Sequence, residues 1–157
     1  RGIGGSLLTL GQLALRGGDL EKAEQLTRES LVIRSELEDR LGLACCLEAL
    51  AEVAFRRGQH ARAARLLGAA ATERASIGAP LPPLEQDPHA RMVSSLQQHL
   101  GERAVEAAWT EALPAPIVVE EVAVAGHASR VPLPDVASLQ TAAPPDVSSS
   151  RPTPRGR

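Results

Sequence analysis

The sequence predicts an all-α fold, in which antiparallel helix pairs stack as a short right-handed solenoid and a disordered tail follows. Three observations predict it. The chain has 157 residues and 26 alanines, but only one Phe, one Trp and no Tyr, and this composition favours helices over sheets. Apolar residues recur at spacings of three and four as far as residue 113, as they do on one face of a helix. A stretch of the chain also recurs 40 residues later.

The first two helices are separated by a pair of glycines. The first helix is predicted from the apolar residues Leu7, Leu10, Ala14 and Leu15. It ends at Gly17 and Gly18, because glycine readily adopts the left-handed conformation that closes a helix. Asp19 then caps the second helix. The apolar stripe predicted for the second helix consists of Ala23, Leu26, Ser30, Leu31 and Leu37.

Four more helices are predicted before residue 113. The third covers 41–57 and the fourth covers 60–77, and a glycine follows each. The fifth begins at Asp87-Pro88, since proline is tolerated in the first turn of a helix, and ends near residue 100. The sixth covers 102–112.

The composition changes after residue 113. Eight of the twelve prolines lie beyond it, and proline removes a backbone donor and disfavours helix in the residue before it. Residues 117–124 are compatible with either a strand or a weak helix. We therefore expect a linker over 1–5, a helical repeat domain over 6–113, and a Pro/Ser-rich, mostly disordered tail over 114–157.

The repeat is the most informative feature of the sequence. Residues 10–26 align without gaps on residues 50–66, and each copy reads as a helix, a glycine turn and a second helix. One helix pair cannot cover its own apolar stripe, but stacking two pairs does. The aligned pairs include Leu10 with Leu50, Ala14 with Ala54, Gly18 with Gly58, and Ala23 with Ala63.

These residues resemble the tetratricopeptide repeat. Small or apolar residues stand at the spacings of that family in both copies. The copies differ from the family in having Leu7 and Leu47 where aromatics are expected, no closing proline, and a period of 40 residues rather than about 34. The positions that carry the resemblance are Leu7, Leu10, Gly11, Ala14, Ala23, Thr27 and Ser30, and Leu47, Leu50, Ala51, Ala54, Ala63, Leu67 and Ala70.

A second resemblance is more specific. The strings RAARLLGAA (62–70) and IGAPLPP (77–83), with the later AAWTE (107–111), are similar to the C-terminal helical arrays of actinobacterial signal-transduction ATPases and LuxR-type transcriptional regulators. This resemblance implies a C-terminal fragment of such a regulator, which acts in the cytoplasm as a protein-protein interaction scaffold or sensory module. The implied partner is a protein or peptide, or another domain of the parent chain.

The other properties of those regulators do not transfer to this chain. No GxxxxGK[ST] string is present, so no nucleotide site is expected. The tail stands where a helix-turn-helix module would lie, and three arginines at its end (Arg151, Arg155 and Arg157) are a weak nucleic-acid signal. Two alternatives stay open: a DNA-associated regulator that acts through its tail or a missing helix-turn-helix module, and a fragment of an ATPase whose catalytic module is absent.

No pattern in the sequence points to an enzyme. Cys45 and Cys46 are adjacent, lack the spacing of a metal site, and are expected to be buried or half-buried thiols. The histidines are too scattered to form an i, i+4 ligand pair, and no serine has a histidine at the spacing of a nucleophile motif. We therefore predict no catalytic, cofactor or metal residues. No apolar run is long enough to cross a membrane.

The predicted binding site is a groove on the concave face. In tetratricopeptide-like arrays the first helix of each pair lines that face, so the resemblance brings residues of the first and third helices side by side. An apolar floor with charges of both signs would suit an extended or helical peptide. The predicted groove residues are Gln12, Leu15, Arg16, Glu48, Glu52, Phe55 and Arg56.

Overall fold

The computed structural model describes residues 2–111 as six α-helices joined by short turns, and this part of the chain contains no strand. The all-α prediction is therefore confirmed. The helices are α1 (Gly2–Arg16), α2 (Leu20–Glu36), α3 (Arg40–Arg56), α4 (His60–Ser76), α5 (Pro83–Leu100) and α6 (Glu102–Thr110). The predicted tail over 114–157, including 117–124 and the basic end, lies outside the described residues.

The turns that follow α1, α3 and α4 share one geometry. Each contains a glycine with positive φ, which is 81° at Gly18, 77° at Gly58 and 61° at Gly78. The amide after this glycine donates back to a carbonyl five residues earlier, as Asp19 N does to Ala14 O at 2.9 Å. This hydrogen bond satisfies a carbonyl that the helix leaves open at its end. The predicted glycine turns are thus confirmed.

Consecutive helices pack as antiparallel pairs, α1 with α2 and α3 with α4, and α2 then packs on α3. The main core lies between α3 and α4, where Leu47, Leu50 and Leu67 are almost fully buried. Ala63 has no exposed surface, and its small side chain permits the two antiparallel helices to approach closely. On the far side, α6 and α5 cover α4, and Leu96 and Val105 enter the same core.

Helix α1 begins at Gly2, so residues 2–5 are helical and the predicted linker is wrong there. Gly4 is buried, and its carbonyl accepts a hydrogen bond from the Ser30 hydroxyl at 2.7 Å. A Cβ at Gly11 would lie 2.7 Å from Thr27 Oγ1, so glycine permits the close approach of α1 and α2. These contacts select the buried face of α1, and the predicted face is wrong at Leu10, which is 51% exposed.

Two other predictions at helix ends are wrong. Leu37, assigned to the buried stripe of α2, lies just beyond the helix and is exposed. Helix α5 begins at Pro83 rather than at Asp87-Pro88, so Pro88 stands inside it. Pro88 cannot donate to the carbonyl of Leu84, but the first turn lies in solvent, with Leu84 92% exposed, and water can satisfy that carbonyl.

Candidate functional site

The α1 part of the predicted groove has two exposed polar residues and one buried residue. Gln12 and Arg16 are exposed near the end of the helix. Leu15 is only 5% exposed and packs with Ala23 and Val53 in a second small core. Leu15 therefore stabilises the contact between the two helix pairs, and the polar side chains on either side of it are open to a ligand.

Arg56 joins the two helices of the predicted groove. Its Nη1 donates to the carbonyl oxygen of Leu15 at 2.8 Å, across the gap between α3 and α1. Its Nη2 donates to Glu52 Oε1, one turn earlier on α3. The structure thus brings Leu15, Glu52 and Arg56 together. A guanidinium beside the last carbonyls of α1 also interacts favourably with the dipole of that helix.

Glu48 does not offer its carboxylate to this face. Arg74 of α4 binds it with both arms, Nε donating to Oε1 at 2.6 Å and Nη2 donating to Oε2 at 2.9 Å. The Arg74 side chain is 8% exposed, and the hydrogen bond to Glu48 raises the pKa of Arg74. Since the ion pair is buried and bidentate, Glu48 serves the α3–α4 contact. The sequence did not predict this pairing.

Of the two adjacent cysteines, Cys45 lies beside this ion pair and Cys46 lies beside Ser30 of α2. Cys46 is fully buried, donates to Ser30 Oγ at 3.3 Å, and has its pKa raised to about 11 by burial. Cys45 is half-buried and accepts from Arg74 Nη2 at 3.7 Å, and burial followed by the charge of Glu48 raises its pKa. A thiol with a raised pKa is a poor nucleophile. The prediction of buried or half-buried thiols is confirmed.

Phe55, the remaining residue of the predicted groove, is half-buried among two histidines. Its ring lies edge-on to His60 at 5.4 Å and to His99 at 6.4 Å, and the two imidazoles stack at 4.2 Å. This cluster joins the end of α3, the start of α4 and the end of α5. The histidines are 39 residues apart, so no local spacing indicated that they would meet.

Glu24 is the centre of a second charged cluster that sequence reasoning missed. The Glu24 side chain is 10% exposed and pairs with Arg28 on α2, Arg57 after α3 and Arg62 on α4. One carboxylate therefore holds three guanidinium groups from three parts of the fold. The Arg28 pairing has the i, i+4 spacing, which is readable from the sequence, whereas the other two depend on how the pairs stack.

His89 and Trp109 pack together near the far end of the array. The rings are 6.1 Å apart and nearly perpendicular. Burial lowers the pKa of His89 and the charge of Glu48 opposes that shift. Trp109 is half-buried against the main core.

One family model matches part of the chain. Residues 3–72, which span α1 to most of α4, match the family model of the tetratricopeptide repeat. Comparison with curated proteins and with solved structures gave no match. The family match and the helix pairs together show a tetratricopeptide-like helical array. Such repeats generally mediate protein-protein interaction and are typically not catalytic.

The described residues lack two further kinds of site, a metal-binding cluster and a membrane-spanning helix. Across residues 2–111, no group of three or more His, Cys, Asp or Glu side chains is arranged to hold a metal ion. Within the same residues, every helix is too short or too polar to cross a membrane.

Proposed function

We propose that this protein binds a protein or peptide partner through the exposed face of α1 and α3, as an interaction module of a bacterial signal-transduction or transcription regulator. The observation that carries the proposal is the stacked array itself, in which α1 and α3, the first helices of two repeats, meet at Arg56. Arg56 fixes that arrangement, because it bonds to Glu52 on its own helix and to the Leu15 carbonyl on α1.

The proposed contact residues are the polar side chains of this face. Gln12 and Arg16 of α1 and Arg56 of α3 are exposed, and Glu52 is half-buried beside Arg56. Leu15 and Glu48 act indirectly, since one is packed in a core and the other is held by an arginine. A face with two guanidinium groups and one carboxylate suits a peptide with acidic side chains and a backbone that can donate to Glu52.

The regulator context is supported by sequence resemblance. The string RAARLLGAA lies on α4, and IGAPLPP runs from Ile77, the C-cap of α4, to Pro83, the first residue of α5. Neither string contains a proposed contact residue. We therefore propose that they serve the packing of the array, and that recognition of the partner depends on the α1–α3 face.

Selection from a phage-displayed peptide library, with the full chain as bait, tests the binding role. We expect acidic peptides to be selected, and Arg16→Ala to weaken a selected peptide roughly tenfold, because one charge-assisted hydrogen bond contributes about 1.5–3 kcal/mol. Arg65→Ala is the matched control, since Arg65 is an exposed arginine on α4. Calorimetry on the selected peptide measures both variants.

Either of two results would contradict the proposal. If no peptide is enriched, or if Arg65→Ala weakens binding as much as Arg16→Ala does, the α1–α3 face is not the binding site. Circular dichroism of both variants checks that the helices are intact, so that a loss of binding reports on the contact and not on folding.

A further inference from the structure

Helix α1 has two apolar faces, and the described residues cover only one of them. The covered face packs on α2 through Gly4, Leu8, Gly11 and Leu15. The other face carries Ile3, Leu10 and Leu13, which are 72%, 51% and 55% exposed, and the half-buried Leu7. These four residues recur at spacings of three and four, so they share one side of the helix, which is called the outer face of α1 below.

The internal repeat shows what such a face does when it has a neighbour. At a spacing of 40 residues, each residue of the outer face has an apolar counterpart on α3. All four counterparts are buried, with 6% exposure at Leu43, 0% at Leu47, 2% at Leu50 and 1% at Val53. The two faces have the same pattern of large apolar side chains, and they differ in what lies next to them.

Helix α4 packs on α3 as α2 packs on α1, so the neighbour that α3 has in addition is α2. Leu31 of α2 lies in the same core as Leu47 and Leu50. Ala23 of α2 packs against Val53. Helix α2 also packs far more extensively on α3 than α1 does. One helix of the preceding pair therefore accounts for the difference between a buried and an exposed face.

One polar residue of α3 also has a polar counterpart on α1. Cys46 of α3 bonds to the hydroxyl of Ser30 on α2 at 3.3 Å. The residue of α1 that corresponds to Cys46 is Ser6, an exposed hydroxyl beside the outer face. The Ser6 hydroxyl donates to Gly2 O of its own helix at 2.9 Å, so its oxygen can still accept a hydrogen bond from a serine at the position of Ser30 on a docked helix.

We propose that the outer face of α1 is a docking surface for the second helix of a further helix pair of the same repeat type. The occupant carries small and leucine side chains in the pattern of Ala23, Ser30 and Leu31. A second copy of this chain has no free helix of this kind among its described residues, because its α2 packs on α1 and α3 and its α4 packs on α3, α5 and α6. The inference concerns stacking and does not depend on the peptide site of α1 and α3.

An extended form of the full chain tests the fit. A second copy of residues 1–41 replaces Arg1, so that Leu41 precedes Gly2 as it naturally precedes Gly42 and the spacing of 40 is kept. Leu10→Ala is then made in the natural chain and at the second Leu10 of the extended chain. Urea unfolding gives the folding equilibrium constant of each.

The expected results differ strongly between the two chains. In the natural chain Leu10 is half exposed, and the truncation changes the constant by about twofold or less, as surface changes do. In the extended chain it lowers the constant at least about thirtyfold, as truncation of a buried leucine does. Gln12→Ala is the matched control, an exposed position of α1 whose effect we expect to be equal in both chains. Equal effects of Leu10→Ala would overturn the proposal.

A second measurement needs no extension of the chain. A synthetic peptide of residues 19–39 is added to the methyl-labelled full chain. We expect the NMR signals of Leu10 and Leu13 to shift, and we expect the substitution Leu10→Glu to abolish the shift at Leu13. No shift at high peptide concentration would overturn the proposal. Sedimentation of the unmodified chain tests the alternative occupant, which is a second copy of this chain. A dimer that Leu10→Glu dissociates would show that a second copy covers this face, and would overturn the proposal.

Discussion

At the scale of single residues, Glu38 occupies a backbone conformation that the other turns of the array give to glycine. Its φ is 53°, and the amide of Asp39 closes the turn on Arg34 O at 2.9 Å, as in the turns at Gly18 and Gly58. The left-handed region costs a residue with a Cβ about 1–2 kcal/mol. The turn between α2 and α3 is thus built in the same way as the others, but with a strained residue.

Replacing this residue with glycine should stabilise the protein. Glu38→Gly relieves the strain, and the greater freedom of glycine in the unfolded chain offsets part of the gain. We expect the free energy of unfolding to rise by about 0.5–1 kcal/mol in urea titration. Glu36→Gly, at the last residue of α2, is the control and should lower it. A loss in both variants would show that Glu38 is not strained.

Because Arg74 and Glu48 form an ion pair, we expect their replacements to have non-additive effects on the free energy of unfolding. Glu48→Leu alone leaves a guanidinium that is 8% exposed with only the exposed Glu85 carboxylate, 3.9 Å away, and should cost about 3 kcal/mol. Arg74→Met alone should cost less, because the Glu48 side chain is 18% exposed and better hydrated. The double variant should lie within about 1 kcal/mol of the natural protein, since apolar side chains replace both charges. Additive losses in a double-mutant cycle would contradict this account.

At the scale of elements, the second helices of the two pairs begin differently. Asp19 caps α2 by accepting a hydrogen bond from Lys22 N at 3.1 Å. Gln59 holds the same place before α4, with φ −85° and ψ 63° against −82° and 81° at Asp19, but makes no side-chain cap bond. The backbone at residue 59 is therefore already shaped for a short capping side chain.

Gln59→Asp should supply the missing cap. Its carboxylate can accept from the first amides of α4, and we expect the free energy of unfolding to rise by about 1 kcal/mol, the typical contribution of such a cap. Gln59→Ala is the control and should change little, since no cap bond is lost. Thermal unfolding followed by circular dichroism measures both, and destabilisation by aspartate would show that the site cannot accept the carboxylate.

The helices also show which features of the fold can be predicted from the sequence. The helices and glycine turns follow from local signals, namely apolar spacing and residues that cap or close a helix. Which face of a helix is buried is not local information, because it depends on the neighbour. Leu10 and Leu50 match in the repeat, yet only Leu50 has α2 beside it, so the prediction holds for one and is wrong for the other.

The candidate site was harder to predict than the fold for the same reason. Gln12 and Arg16 are exposed on α1, as expected of polar residues on an amphipathic helix. Glu48 has the same local pattern, but Arg74 reaches it from the next helix, 26 residues along the chain. Glu24 and its arginines likewise depend on how the pairs stack. Side-chain pairing between helices requires the packing geometry, which the sequence pattern leaves open.

At the scale of the whole molecule, the two ends of the described part of the array differ. At the α1 end, large apolar side chains are exposed. At the other end, α5 and α6 cover α4 and bury Leu96 completely. Stacked repeats gain stability from contacts between neighbours, so the covered end should be the more stable of the two.

Leu96→Ala tests whether the closing helices stabilise mainly their neighbours. Leu96 has no exposed surface, so the truncation should cost about 2–5 kcal/mol. Leu84→Ala is the control on the same helix, 92% exposed, and should change the free energy by less than about 0.5 kcal/mol. Hydrogen exchange should then accelerate most in α4, α5 and α6 and least in α1, which has no extensive contact with α5 or α6. Equal acceleration in α1 would show that residues 2–111 unfold as one unit, and that stability is not divided between neighbouring helix pairs.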